Sequence, residues 1–256
     1  MSIFFSATGI VLSRREHKEV DRWYAMYTKE FGKIEFCARG GQKILAKITP
    51  HLEIIGEVRA FFVQGRQYPT ISGAECQHVF PRFREDYQKM LLAQNAFALM
   101  DMGTRPQEAD PVLYDVLHHW LLFLDEAPTI SSERGAYLLG SFTLKLLSLL
   151  GYRPELYHCL QCREPIEAGR FFWHALKGGV ICATCKEHFP DQYFSARVME
   201  ETAMKLVRFA LGESFADQLR PPLPGEALLA FHETIESLLI SHFPVIPANS
   251  LRAACA

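Results

Sequence analysis

The chain is 256 residues long, 49% hydrophobic and 22% charged, with a formal net charge of −2. At about 100–200 residues per domain this is one large domain or two to three small ones, and the composition excludes a disordered chain or a fibrous array. The charge is unevenly spread: residues 1–84 hold 13 Lys and Arg against 8 Asp and Glu, a net +5, whereas residues 85–256 hold 14 against 21, a net −7. A positive field confined to the first third suits a polyanion-binding module; a merely solvated surface is the plainer alternative.

The opening, "MSIFFSATGIVLSRR", has no Lys or Arg ahead of its apolar part, so it lacks the charged start of a secretory signal and reads as a strand. Strand-like runs follow at 6–14, 22–28, 33–39, 53–64 and 67–73, punctuated by Phe31-Gly32, Arg39-Gly40-Gly41 and Gly65-Arg66. In "RWYAMYT", Trp23, Ala25 and Tyr27 fall on one face and Tyr24 and Met26 on the other, the alternation of a half-buried strand. Five such strands within residues 1–80 predict a Greek-key barrel of the oligonucleotide-binding type.

From Phe83 onward the apolar period changes from 2 to about 3.6, which predicts helices at 83–103, 111–126, 131–150, 195–211 and 225–242. Asp110-Pro111 supplies an N-cap and a proline for the first helical position, Gly151 and Pro154 form a stop, and Gly212 ends the next helix. Residues 131–150 are apolar nearly all round, with Leu138, Leu139, Phe142, Leu146, Leu147, Leu149 and Leu150, so this helix belongs at the centre of a bundle. Its stretch "AYLLGSFTLKLLSLLG" is interrupted by Ser141, Thr143, Lys145 and Ser148 and is shorter than the roughly 20 residues of a bilayer span. The expected fold is thus an α+β multidomain chain. A five-stranded barrel covers 1–80 and a mostly helical domain covers 81–256, interrupted at about 156–190 by a cysteine-bearing insert.

That insert reads "CLQCREPIEAGRFFWHALKGGVICATC". With no secretory signal, the seven cysteines are expected in a reducing cytoplasm, where paired cysteines more often hold metal or do redox work than form disulfides. The C-x₂-C-x₁₉-C-x₂-C spacing of Cys159, Cys162, Cys182 and Cys185 matches a four-cysteine zinc ribbon, with Gly178-Gly179 at the turn of a hairpin between the two knuckles. Four thiolates close a tetrahedral shell, whereas a catalytic zinc keeps an open position, so the expected Zn²⁺ is structural. The deaminase signature fails, because His174 is followed by Ala175-Leu176 and no Pro precedes Cys182. A redox C-x-x-C stands alone at a βα junction rather than in a pair at ribbon spacing. Cys37, Cys76 and Cys255 have no pattern and are read as incidental.

"SRREHKEVDRWYAMYTKEFGKIEFCARGG", "HLEIIGEV" and "YPTISGAE", followed later by "LLGYRPELYHCLQC" and "GGVICATC", resemble the barrel and the ribbon of the bacterial recombination mediator family RecO. The resemblance implies a DNA-repair protein without an active site. Such a protein binds single- and double-stranded DNA, anneals complementary strands, contacts the tail of single-stranded DNA-binding protein, and works with RecR to help load RecA. The absence of a G-x-x-x-x-G-K-[ST] loop agrees with a protein that consumes no nucleotide. The chain departs from the family in two places. The loop "ARGGQKILAKITP" keeps only Arg39, Lys43 and Lys47 where the family is richer in cations, and Arg163 stands where the family often has Gly, a change expected to disturb the knuckle little.

On this reading the DNA-contacting candidates are Arg14, Arg15, Lys18, Arg22, Lys33, Arg39, Lys43 and Lys47, neutralising phosphates along a groove while Glu16, Glu19 and Asp21 dilute the field. Trp23, Tyr24, Tyr27 and Phe36 are candidate stacking platforms, with barrel core as their alternative role. A partner tail that is acidic with an apolar end is expected on the helical part. Two other functions compete. A zinc-ribbon adaptor is disfavoured because the ribbon carries only Arg163, Arg170 and Lys177 against Glu164 and Glu167. A zinc hydrolase is disfavoured by the lack of H-E-x-x-H or a similar spacing.

Overall fold

The computed structural model of the protein describes residues 3–43, 46–52, 55–166 and 171–243, in two compact units, Met1–Thr129 and Ile130–Ala256. In the first unit five strands close into a barrel: β1 (Phe4–His17), β2 (Asp21–Thr28), β3 (Gly32–Ala38), β4 (Gly56–Gln64) and β5 (Pro69–Val79), with a one-turn helix α1 (Thr49–Leu52) between β3 and β4. The order around the barrel is β1-β2-β3-β5-β4. Every neighbouring pair is antiparallel except β3 and β5, which meet in parallel at Cys37 and Thr70. This is the connectivity of an oligonucleotide-binding barrel.

Strand alternation decides what fills it. Tyr24 and Met26 of β2, Ile34 and Phe36 of β3, and Val58 and Phe62 of β4 point into one core. There the rings of Tyr24 and Phe36 stack with centroids 5.6 Å apart. Each such side chain contributes about 1.5–3 kcal/mol by leaving water. Ala25 and Tyr27 lie on the opposite, outer face and are buried as well, since other parts of the unit cover that face; the Tyr27 hydroxyl donates to the Asp110 carbonyl at 3.4 Å.

Two helices complete the first unit, α2 (Tyr87–Gly103) and α3 (Pro111–Glu126). Helix α2 begins four residues later than the apolar period suggests, because Pro81–Glu85 form a 3₁₀ turn and Asp86 caps the helix by accepting the Lys89 N–H at 3.2 Å. Asp110 caps α3 as expected, accepting the N–H groups of Val112 and Leu113 at 2.8 and 3.3 Å, with Pro111 in the first turn; such a cap is worth about 1 kcal/mol. Polar links fasten these helices to the barrel. Ser13 Oγ donates to Asp101 Oδ2 at 2.8 Å, Lys29 Nζ to Asp115 Oδ1 at 2.9 Å, and the Tyr114 hydroxyl to Glu57. Burial, reinforced by that carboxylate, raises the Tyr114 pKa and keeps the phenol protonated as donor. At the β2–β3 turn Gly32 has φ +65°, and a Cβ there would lie 2.0 Å from the Glu108 carbonyl oxygen. The change of apolar period divides the chain after residue 80, while by packing the first compact unit runs to Thr129.

The second unit centres on α4 (Ser132–Leu147), capped by Ser131 and buried on nearly every side, with Leu138, Leu139 and Phe142 all 0% exposed. A π-type turn over Ser148–Tyr152 ends it at Gly151. Next comes a small sheet of order β7-β6-β8, built from β6 (Phe171–His174), β7 (Gly179–Cys182) and β8 (Arg197–Met199), with the short helix α5 (Ala183–His188) after β7. Helices α6 (Glu201–Gly212) and α7 (Gly225–His242) then pack on α4. The expected helix at 195–211 is thus split. Phe172 pairs with Val198 and Phe171 with Met199, so Arg197–Met199 joins the ribbon sheet, with β-branched Val198 at its centre, and the helix starts at Glu201. Among the described residues no helix is long and apolar enough to cross a membrane.

Candidate nucleic-acid interface and four-cysteine cluster

The cationic candidates gather at the end of the barrel formed by the β1–β2 hairpin and the loop leaving β3. Arg14 and Arg15 lie on β1 opposite Tyr24 and Trp23, and Arg22 on β2 opposite Glu16 and Ala38. Lys18 occupies the hairpin turn with φ 55°. Arg14, Arg15, Lys18, Arg39, Lys43 and Lys47 are exposed and Arg22 is half-buried. Asp21 holds the two segments together. Its carboxylate accepts the Gly40 N–H at 2.8 Å and its carbonyl accepts from Gln42 Nε2 at 2.8 Å, while the Gln42 N–H reaches the Val20 carbonyl at 2.9 Å. The sequence presents Asp21 only as a charge opposing the cations. Its tethering role depends on a contact nineteen residues away, which no local pattern reveals.

Lys33 does not belong to this set. It is 7% exposed, its ammonium donates to the Asp101 carbonyl at 2.7 Å, and it forms an ion pair with the Asp101 carboxylate. As an outward residue of β3 it sits on the part of the barrel that the rest of the unit covers, so its charge is satisfied internally. The aromatic candidates divide in the same way. Tyr24, Tyr27 and Phe36 are each 0% exposed and serve as packing, whereas Trp23 is half-buried on the outer face. Arg15 lies 5.4 Å from the Trp23 ring centroid and Tyr68 meets Trp23 edge-on at 4.7 Å. Arg66 and Tyr68, both in the β4–β5 connection, escape a reading by strand period because their relevance comes only from barrel closure.

In the second unit the four cysteines converge. The sulfurs of Cys159, Cys162, Cys182 and Cys185 lie within 4.8 Å of one another, and Cys162 and Cys182 are 3.9 Å apart. A tetrahedral metal with bonds of about 2.3 Å to sulfur needs sulfur separations of about 3.8 Å. Backbone N–H groups meet two of the sulfurs: the Cys182 N–H donates across the knuckles to Cys159 Sγ, and the Cys185 N–H donates within the second C-x-x-C turn to Cys182 Sγ, both at 3.4 Å. The first knuckle closes with the Arg163 N–H on the Cys159 carbonyl at 3.0 Å, with Arg163 itself at φ 65°. That left-handed conformation favours glycine, so a side chain here costs about 1–2 kcal/mol. The hairpin turns at Gly178, φ +61°. Cys159, Ile181, Cys185 and Tyr193 form a small core, and the Tyr193 hydroxyl donates to Gln161 Oε1 at 2.7 Å.

Electrostatics define what this cluster accepts. Burial works to raise the Cys159 pKa, but N–H groups of Cys182, Cys162 and Gln161 outweigh it and bring the thiol down to about 7. Burial, followed by hydrogen bonding to the neighbouring thiols, pushes Cys185 upward. Four thiolates this close repel one another, and a cation that neutralises them is the natural complement to the donor set. Arg170 and Glu167 of the ribbon, the expected strand start at Glu53, and Cys255 lie outside the described residues.

Comparison with known proteins gives two family matches in chain order: Recombination protein O N terminal over residues 1–80 and Recombination protein O C terminal over residues 84–245. The chain is similar to proteins named DNA repair protein RecO. That of Moorella thermoacetica is 26% identical over 87% of this chain and 81% of the relative. That of Symbiobacterium thermophilum is 32% identical over 72% of each. That of Desulfitobacterium hafniense is 25% identical over 71% of this chain and 64% of the relative.

Proposed function

The chain belongs to the RecO family, and from that premise we propose that it is a non-catalytic recombination mediator of DNA repair, in which the first unit binds DNA and the cysteine cluster holds a structural Zn²⁺. The observation that carries this reading is the exposed cationic end of a closed oligonucleotide-binding barrel, within the residues that match the family's N-terminal model. Arg14, Arg15, Lys18, Arg22, Arg39, Lys43 and Lys47 would contact phosphates of single- and double-stranded DNA, each contact adding about −0.7 to the salt slope on single strands. Phosphate contacts set position and not sequence, so complementary strands can be held with their charge screened and annealed without ATP.

Cys159, Cys162, Cys182 and Cys185 would hold the zinc in a closed thiolate shell, and the metal's part is to fold the ribbon, at about 10–16 kcal/mol of apparent binding energy in small zinc peptides. The proposed partners are RecR, RecA indirectly, and the tail of single-stranded DNA-binding protein. A recess of about 250 Å³ in the second unit, lined by Arg153, Glu155, Tyr157, Arg208 and Leu211, combines two guanidinium groups with apolar surface, and the one carboxylate among them is engaged by the N–H groups of Tyr157 and His158; a tail that is acidic and ends in apolar residues requires such cations beside such a surface. ATP-independent annealing of complementary oligonucleotides tests the proposal as a whole.

A further inference from the structure

The recess lined by Arg153, Glu155, Tyr157 and Arg208 is built on the cysteine ribbon. Glu155 pairs with the ribbon hairpin: its N–H donates to the Gly178 carbonyl at 2.9 Å, and its carbonyl accepts the Val180 N–H at 3.0 Å. The Tyr157 carbonyl accepts the Ile166 N–H at 2.8 Å, and the Cys159 N–H donates to the Glu164 carbonyl at 2.8 Å, so the segment that walls the recess runs straight into the first knuckle. Arg208 is placed by the same segment. Its guanidinium donates to the Leu156 carbonyl and lies 4.5 Å from the Tyr157 ring centroid. The four cysteines differ in access: Cys159 and Cys185 are buried, Cys182 is half-buried and Cys162 is exposed. Cys162 Sγ lies 3.9 Å from Cys182 Sγ. The core beneath them, Cys159, Ile181, Cys185 and Tyr193, is too small to hold the ribbon without a further tie.

We infer that the cluster is an oxidation switch for this recess, in which a peroxide joins Cys162 to Cys182, displaces the bound cation and releases the recess wall. The inference rests on the structural-zinc and partner-tail readings above. Exposure selects Cys162 as the sulfur that a peroxide reaches. Its thiolate attacks one peroxide oxygen, the O–O bond breaks, hydroxide leaves, and Cys162 becomes a sulfenic acid. The Cys182 thiolate then attacks that sulfur, so that the S–S bond forms as the S–O bond breaks and a second hydroxide leaves. Each sulfur gives up one electron and the peroxide takes both. A disulfide bond is about 2.05 Å long, so the pair closes from 3.9 Å. Cys159 and Cys185 alone do not complete a tetrahedral shell, and on losing the cation they take up protons. The first knuckle then loses its anchor, and Tyr157 and Arg208 lose the arrangement that sets a cation beside apolar surface. The barrel belongs to the other compact unit, so DNA binding lies outside the switch.

The test treats the full, zinc-loaded chain with hydrogen peroxide. Released zinc, read with a chelating dye, should rise to about one ion per chain. Trypsin leaves Cys159 and Cys162 on one peptide and Cys182 and Cys185 on another. Mass spectrometry should find these two peptides joined, with fragmentation placing the bond between Cys162 and Cys182. A fluorescent Asp-Asp-Asp-Leu-Phe peptide should bind the oxidised protein about tenfold or more weakly, the loss expected when one charge-assisted contact goes. Single-strand binding should stay unchanged, and dithiothreitol with added zinc should restore the peptide. A disulfide within either C-x-x-C, zinc retained under peroxide, a parallel loss of DNA binding, or full peptide binding by the oxidised protein would overturn the switch and leave the partner reading standing. A reduced, zinc-loaded protein that does not bind the peptide would remove the partner reading of the recess and the switch with it. A folded protein purified without zinc would remove the metal reading instead, and the switch again with it.

Discussion

The carboxylate of Asp21, at the start of β2, accepts the backbone N–H of Gly40 at 2.8 Å and so ties the loop leaving β3 to the β1–β2 turn. One side chain both weakens the positive field and positions the residues that create it. The two effects separate by substitution. Asp21→Asn keeps an acceptor and removes the charge, so single-strand affinity should rise, by about two- to fivefold for one half-buried charge at the surface. Asp21→Ala loses the acceptor too, which should lower stability by about 1 kcal/mol and cancel the gain. Fluorescence anisotropy at fixed salt together with urea unfolding reads both. An equal rise in affinity for the two variants would mean that the tether positions nothing.

Lys33 should behave as a structural residue. Its side chain is 9% exposed and that of its partner Asp101 is 26% exposed, so Lys33→Ala leaves a largely buried carboxylate without its cation. A fully buried pair broken in this way costs about 3–5 kcal/mol; the partial exposure of Asp101 reduces that to about 2 kcal/mol. The salt dependence of DNA binding should not change, whereas Arg15→Ala should reduce the slope by about 0.7. Unfolding curves and salt titrations of the two variants distinguish the roles.

Arg163 sits at φ 65° in the first cysteine knuckle. Arg163→Gly should relieve the left-handed penalty and raise the stability of the metal-loaded protein by about 1 kcal/mol, less the extra backbone freedom that glycine gains in the unfolded chain. Thermal melts with metal content held equal check this. A drop in melting temperature would show that the arginine side chain contributes more than its conformation costs.

Cys162 is the exposed member of the cluster and Cys37 is a buried cysteine of the barrel. Cys162→Ser should lower bound zinc, measured by elemental analysis of the purified protein, and lower the melting temperature; Cys37→Ser should leave the zinc unchanged. Chelation of the intact protein should reproduce the Cys162→Ser melt. If Cys162→Ser keeps both its metal and its melting temperature, the cluster is not a structural metal centre.

Much of this arrangement is legible in the sequence. The alternation in "RWYAMYT" separates the core pair Tyr24 and Met26 from outward Trp23, and the Asp110-Pro111 pair marks the start of α3, because strand period and N-capping are local. The cysteine spacing carries the cluster for the same reason. Burial of the outer barrel face is not local. Tyr27 and Lys33 look like exposed outward positions until Asp110 and Asp101, each more than sixty residues away in sequence, cover them. The helix period of 195–211 likewise yields at Arg197–Met199 to pairing with a strand that cannot be anticipated without the ribbon. Residues whose role comes from a distant partner, such as Asp21, Tyr68 and Tyr193, carry no local signature.

The most direct measurement is annealing of two complementary labelled oligonucleotides without ATP, by the intact protein and by a variant with Arg14, Arg15, Lys43 and Lys47 all changed to Ala. The account predicts fast annealing by the intact protein and its loss in the variant, with zinc content and fold unchanged. Unimpaired annealing by the variant, or none by a folded and zinc-loaded intact protein, would contradict it.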